Sequence, residues 1–193
     1  MNSRASEYQL SKFGYYADFF TVPAANSIAV AWVFSEYPVS LKVFAAAIMV
    51  GFTGWTFLEY AFHRWGFHGA PRRTRLEHAL HHIRPADYIG ASSGVTGMIG
   101  GISFFVLTFI FGPQIGTGLL VGLVAGYIAY IYVHDRMHHA ASFRAGSYLA
   151  FLHSNHEFHH RRFKVNYGVT SPLWDYVFGT YVRNQTKMEN ERA

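Results

Sequence analysis

All twelve histidines of this 193-residue chain fall between His63 and His160. Average usage would supply about four in a chain of this length. They form four clusters: His63 and His68; His78, His81 and His82; His134, His138 and His139; and His153, His156, His159 and His160. Spacings of three and four turn His78, His81 and His82 toward one face of a helix, and His134 and His138 likewise. His63 and His68 are five apart, so the helix is expected to end near Gly66, with His68 reaching back from the turn. Buried together as imidazoliums these rings would repel and lose their hydration, whereas a divalent metal stabilises the neutral form. The pattern therefore predicts a metal site. One closed zinc shell takes only four ligands. Two ions with four or five rings each use the supply and leave an open position for dioxygen or water. Imidazole suits iron, zinc, copper and nickel alike, so spacing does not name the metal. Glu59, one turn before His63, Asp135 beside His134, and Asp175 are the carboxylates that could fix ring tautomers from behind.

The elements that position these rings belong in a membrane. Half of the chain is hydrophobic (51%) and only 14% is charged, against about 25% in soluble domains. Phe19 to Ser35 carries no charge, and Val39 to Phe62 carries only Lys42 and Glu59 near its ends. Ser35-Glu-Tyr-Pro38 separates the two as a hairpin tip. Tyr88 to Val133 has no charge at all, and Gly112-Pro113-Gln114 breaks it into about Ser93–Phe111 and Ile115–Val133. Since roughly twenty apolar residues cross a bilayer core, four spanning helices in two hairpins are expected. The glycines Gly97, Gly100, Gly101, Gly118, Gly122 and Gly126 suit close helix packing in lipid. Basic residues avoid the hairpin tips, which places both termini and both histidine stretches on the cytoplasmic face, in a helical cap. The first twenty residues are too polar for a cleavable signal peptide. No cysteine is present, so no thiolate or iron–sulfur site can form. A net charge of +5 fits anionic headgroups or an acidic partner better than nucleic acid in so apolar a chain. The whole of 1–193 reads as one membrane-embedded domain, with a flexible tail at 184–193.

The histidines resemble those of the fatty acid hydroxylase superfamily, which includes the sterol desaturases. Its pattern HxxxxH, HxxHH, HxxxH and HxxHH matches His63…His68, His78…His81-His82, His134…His138 and His156…His159-His160. The run Asn166-Tyr-Gly-Val-Thr-Ser-Pro-Leu-Trp-Asp175-Tyr-Val-Phe-Gly-Thr resembles the segment that follows the last box there. Trp55-Thr-Phe-Leu-Glu-Tyr-Ala-Phe-His63-Arg-Trp-Gly-Phe-His68 and Tyr148-Leu-Ala-Phe-Leu-His are most similar to the catalytic domains of fatty acid 2-hydroxylases. The resemblance covers roughly 50–181. It implies that the ten matched histidines hold two iron ions, with zinc possible in purified material, and that His139 and His153 are neighbours rather than ligands.

What the resemblance implies as chemistry is O2-dependent hydroxylation of an unactivated lipid C–H bond, with 2-hydroxylation of a fatty acyl chain foremost and sterol or carotenoid oxidation as the alternative. Electrons are expected from a separate donor, a haem carrier or a ferredoxin with its reductase. The setting would be a bacterial inner membrane or the endoplasmic reticulum. Arg64, Arg161 and Arg162 are candidates to hold an acidic head group. Two rivals come from other classes. His156-Glu157-Phe-His159-His160 contains the HExxH of a membrane zinc protease, with Glu157 as base. A metal transporter or store would also bind ions, but predicts ionisable residues within the spans, and 88–133 has none.

Overall fold

The computed structural model describes residues 9–69 and 72–183, and the predicted flexibility of 184–193 lies outside them. Among the described residues the regular elements are all helical, with one isolated bridge between Gln9 and Ile89. In order they are α1 (Lys12–Tyr16), α2 (Asp18–Glu36), α3 (Leu41–Ala61), a π-helical continuation of α3 (Phe62–Phe67), α4 (Arg72–Ile83), α5 (Ser93–His139), α6 (Tyr148–Arg161) and α7 (Leu173–Val177). Among the described residues three stretches are long and apolar enough to cross a bilayer: Lys12–Glu36, Leu41–Phe67 and Ser93–His139.

The hydropathy pattern predicts four separate spans, and the difference lies in α5. Its 47 residues run on without an intervening loop, yet Gly112 has φ 77° and ψ 163°, far from helical. Proline at 113 has no amide hydrogen, so the helix re-forms directly after the break. A straight helix would hold Leu107 and Gly116 about 13 Å apart. Instead, a methyl group on Gly116 would come within 2.5 Å of the Leu107 carbonyl carbon. The element is therefore folded back on itself at Gly112. Its second arm also runs past Val133 to His139 and carries His134 and His138 on a continuous helix.

The chain divides into two compact units, Met1–Trp55 with Asp87–Ile128, and Thr56–Ala86 with Ala129–Ala193. Within the first unit α3 and α5 approach backbone to backbone. A methyl on Gly51 would lie 2.2 Å from the Leu119 oxygen, one on Gly122 2.1 Å from the Ile48 oxygen, and one on Gly126 2.4 Å from the Trp55 ring. Gly97, Gly100 and Gly101, expected in the same role, face open space instead. Gln114 ties the tips of the first unit together, accepting from the Ser40 amide (3.1 Å) and donating to the Ser40 carbonyl (3.3 Å). The buried Asp18 accepts from the Tyr127 hydroxyl at 2.5 Å and from Thr96 at 3.0 Å. Phe109, 90% exposed, and Phe105, Ile28 and Phe20 make this unit's outer face apolar, as a lipid-facing surface must be.

The second unit holds the histidines. Met137, Leu152 and Val169 form its apolar core, with Tyr130 and Val133 packed against it. The connection 166–171 is tightly held. Glu59 accepts from the amides of Val169 (2.6 Å) and Thr170 (2.8 Å) and from the Thr170 hydroxyl. Asp175 accepts from the amides of Tyr167 (2.8 Å) and Gly168 (2.7 Å) and from the Thr180 hydroxyl (2.7 Å). Asn166 takes φ 54°, a left-handed conformation that asparagine tolerates, and its side chain pairs with both backbone groups of Val182.

Candidate metal centre

Four elements bring the predicted rings together. His63 sits in the π-helical turns and His68 caps them, its amide bonded to the His63 carbonyl. Helix α4 supplies His78, His81 and His82, the second arm of α5 supplies His134 and His138, and α6 supplies His156, His159 and His160. The rings gather in two groups: His63, His68, His78, His82 and His159, and His81, His134, His138 and His156, each with its ligand atoms within 4.8 Å of one another. His160 joins the second, its Nε2 3.0 Å from that of His156 and its ring centroid 5.0 Å from that of His81. The groups abut where His82 stacks on His160, centroids 4.2 Å apart.

The nitrogen geometry fits a cation better than a hydrogen-bond network. His78 Nε2 lies 3.1, 3.0 and 3.0 Å from the Nε2 atoms of His63, His68 and His82. A neutral imidazole nitrogen offers one proton or one lone pair. It cannot satisfy three such partners, and most of these contacts would set lone pair against lone pair. The same 3.0 Å recurs between His68 and His159, and 2.9 Å between His138 and His156. Nitrogens held this close together would suit rings that share a bound cation. His81 Nε2 is buried and makes no hydrogen bond, which a metal would remedy.

Protonation points the same way. Burial, reinforced by His82, pushes His68 down to about 4, and burial with His82 and His138 pushes His160 down to about 3. Burial foremost, and then neighbouring rings, takes His78, His81, His156 and His159 well below the ordinary imidazole range. The folded chain thus presents neutral rings, the form that binds metal.

Two backbone carbonyls set tautomers. His63 Nδ1 donates to the Tyr167 carbonyl at 2.5 Å and His159 Nδ1 to the Val165 carbonyl at 2.8 Å, leaving each Nε2 lone pair for the centre. Glu59 and Asp175, expected directly behind the rings, hold the connection that carries the Tyr167 carbonyl, one bond network further out. Asp135 meets His139 at 3.0 Å, and His139 Nε2 lies 3.2 Å from the Ala86 carbonyl oxygen. His153 packs on Phe143. Neither His139 nor His153 belongs to the two groups.

The arginines separate. Arg161 pairs with Glu157 at 2.6 Å on the surface, and Arg162 lies 5.4 Å over the Phe158 ring. Arg64 donates to the Tyr60 hydroxyl at 2.7 Å and lines a cleft of about 450 Å³ with Trp65, His68, Phe163, Lys164 and Tyr167. Tyr167 was not singled out from the sequence. Its ring lies 5.5 Å from those of His68 and His159 and 5.7 Å from His63, and the only sequence signal for it was its place in the Asn166-Tyr-Gly-Val run after the last box.

Comparison with known proteins places this arrangement. The family model described as fatty acid hydroxylase matches residues 48–180. A fatty acid 2-hydroxylase of Mus musculus is 30% identical over 152 residues, 73% of this chain and 41% of its own length. A dihydroceramide fatty acyl 2-hydroxylase of Arabidopsis thaliana is 31% identical over 150 residues, covering 73% and 62% of the two chains. A ceramide very long chain fatty acid hydroxylase of Saccharomyces cerevisiae is 31% identical over 191 residues, 88% of this chain and 49% of its own. The chain spans about half the length of the curated relatives it matches. A solved structure described as full-length scs7p, with only the hydroxylase domain visible, has a TM-score of 0.77 over 94% of this chain and 70% of that one. At 21% identity that likeness speaks for the fold alone.

Proposed function

Because this chain belongs to the fatty acid hydroxylase family, we propose that it hydroxylates a lipid at an unactivated C–H bond, on the carbon next to the carbonyl of a fatty acyl chain. The observation that carries the reading is the pair of imidazole groups, with ring nitrogens about 3.0 Å apart that cannot all be hydrogen-bonded to one another. Such a donor set suits two iron ions, and zinc would fit it in purified material. When bound, a redox-active pair supplies dioxygen reduction: one oxygen atom ends on the substrate carbon and the other in water, with two electrons and two protons from outside.

The chain's own residues do the rest. His63, His68, His78, His82 and His159 would hold one ion, and His81, His134, His138, His156 and His160 the other. The Tyr167 and Val165 carbonyls keep a proton on the outer nitrogens of His63 and His159, so that the inner ones remain donors. Burial keeps the rings neutral and excludes competing water. The apolar helices support an integral membrane protein with the substrate tail in lipid. The distribution of arginine and lysine supports four spans and a centre on the cytoplasmic face. Chemical balance requires an electron donor, a haem carrier or a ferredoxin with its reductase. The relatives named above favour an acyl substrate over a sterol or carotenoid. A protease would need Glu157 as base, and that carboxylate is engaged with Arg161 at the surface.

The test is expression in lipid-replete cells followed by lipid profiling. A 2-hydroxyacyl product supports the reading, a hydroxylated sterol or carotenoid replaces the substrate, and no gain of one oxygen in any lipid overturns it.

A further inference from the structure

The cleft beside the first ring group is lined by two cations that the hydroxylase reading does not use, Arg64 and Lys164. Lys164 is exposed and makes no hydrogen bond or ion pair among the described residues. Across the cleft, the Arg64 guanidinium is held rather than free. It donates to Tyr60 at 2.7 Å and lies 5.4 Å from the Trp65 ring, 5.9 Å from those of Tyr60 and Phe178, and 6.0 Å from that of Tyr167. Guanidinium has five N–H donors, so this seat leaves several unused. Asp175 has both oxygens engaged by Tyr167, Gly168 and Thr180. His68, a member of the first ring group, lines the same cleft.

We propose that this cleft takes the anionic head, a carboxylate or a phosphate, of a single-chain acyl lipid, with Arg64 and Lys164 as its anchors. Two cations facing one volume of about 450 Å³, with no carboxylate among its lining residues, select an anion over a neutral head. The size falls within the range of small-ligand sites, roughly 300 to 1,000 Å³. Trp65 and Phe163 form its walls and are half exposed, at 50% and 55%, an apolar exit for the tail. The Tyr167 ring lies 6.0 Å from the Arg64 guanidinium and 5.5 to 5.7 Å from the rings of His63, His68 and His159. A head seated on Arg64 therefore brings the first carbons of its chain, rather than distant ones, to the centre. This last step rests on the hydroxylase reading, whereas the choice of an anionic head does not.

The test uses the zinc-loaded full chain in detergent and measures displacement of a fluorescent fatty acid. Competitors are palmitate, palmitoyl lysophosphatidate, the neutral palmitamide and a neutral ceramide. Palmitate or lysophosphatidate should compete about tenfold more tightly than palmitamide, the scale of one partly exposed charge-assisted contact. Their ranking tells carboxylate from phosphate. Lys164→Gln, at an exposed position that does not endanger folding, should remove most of that advantage and leave palmitamide unchanged. Arg64→Lys, which keeps the charge but loses the fork, should weaken it in part. Equal binding of acid and amide, tighter binding of ceramide, or full acid preference in Lys164→Gln would overturn the proposal. If the preference holds but cells form no hydroxylated lipid, the hydroxylase reading falls and the anion site stands. Ceramide hydroxylation without any acid preference reverses that outcome.

Discussion

His78 shows at the scale of one residue why the centre needs a cation. Three foreign nitrogens surround its Nε2 at 3.0 to 3.1 Å, and only a positive charge between them makes that arrangement favourable. His81 and His159, one from each group and both buried, should therefore each be indispensable to one ion. His81→Ala or His159→Ala is expected to leave the protein in the membrane but lower bound metal, by elemental analysis, by at least one ion per chain. Retention of the full complement in both variants would remove them from the ligand set. Acid sensitivity follows from the same rings. Without metal the unfolded chain takes up protons below about pH 6.5, while folded His68 resists until about 4. Protons thus favour the unfolded state across that window, and stability present above pH 6.5 is lost as pH falls toward 4. The thermal midpoint of chelated protein in detergent should drop steadily over this interval and change little between pH 7 and 8. A flat profile from pH 7 to 4 would contradict neutral buried rings.

The elements carry two contrasts that can be measured. A methyl on Gly122 would meet the Ile48 oxygen at 2.1 Å and the Phe52 nitrogen at 2.5 Å, backbone atoms that cannot step aside, whereas Gly97 faces open space. Gly122→Ala should destabilise by about 1–3 kcal/mol, read as a lower thermal midpoint, while Gly97→Ala should leave the midpoint unchanged or raise it. The connection 166–171 is the second case. Asp175→Ala leaves the buried amides of Tyr167 and Gly168 unpaired, at about 1–3 kcal/mol each. It also loosens the carbonyl that orients His63, so metal affinity should fall about 10–100-fold. Unchanged affinity in a folded Asp175→Ala protein would separate that connection from the centre. Legibility from sequence divides along these lines. Ring convergence could be read because a three-and-four spacing fixes a helical face whatever the tertiary context, and hydropathy located α2, α3 and α5 to within a few residues. The glycine–proline pair also marked where α5 breaks, at Gly112, but not that the helix resumes without a loop, since one residue with positive φ suffices to reverse the chain. Tyr167 escaped because its role depends on a carbonyl, which every residue has, and on a connection whose shape is set by Glu59, more than a hundred positions away.

At the scale of the whole molecule, the absence of cysteine makes sidedness directly testable. Single cysteines at Lys164 and at Glu36, near the tip between α2 and α3, should react with an impermeant maleimide from opposite faces, Lys164→Cys from the cytoplasmic one. Labelling of both from one face would refute the proposed topology. Two metal ions per chain are expected by elemental analysis, and a single ion would refute the two-centre reading. One consequence of the inner cage concerns its electrostatic balance. Among the described residues both groups consist of histidine alone, and a neutral ring brings no negative charge to offset a bound cation. Carboxylates, Glu59 and Asp175, stand one layer back and are engaged with amides. A dication seated here therefore keeps its charge largely uncancelled in a poorly screened interior. Such a cage is an anion trap: azide, cyanide or fluoride should associate with the metallated protein far more readily than with sites where acidic side chains complete the shell.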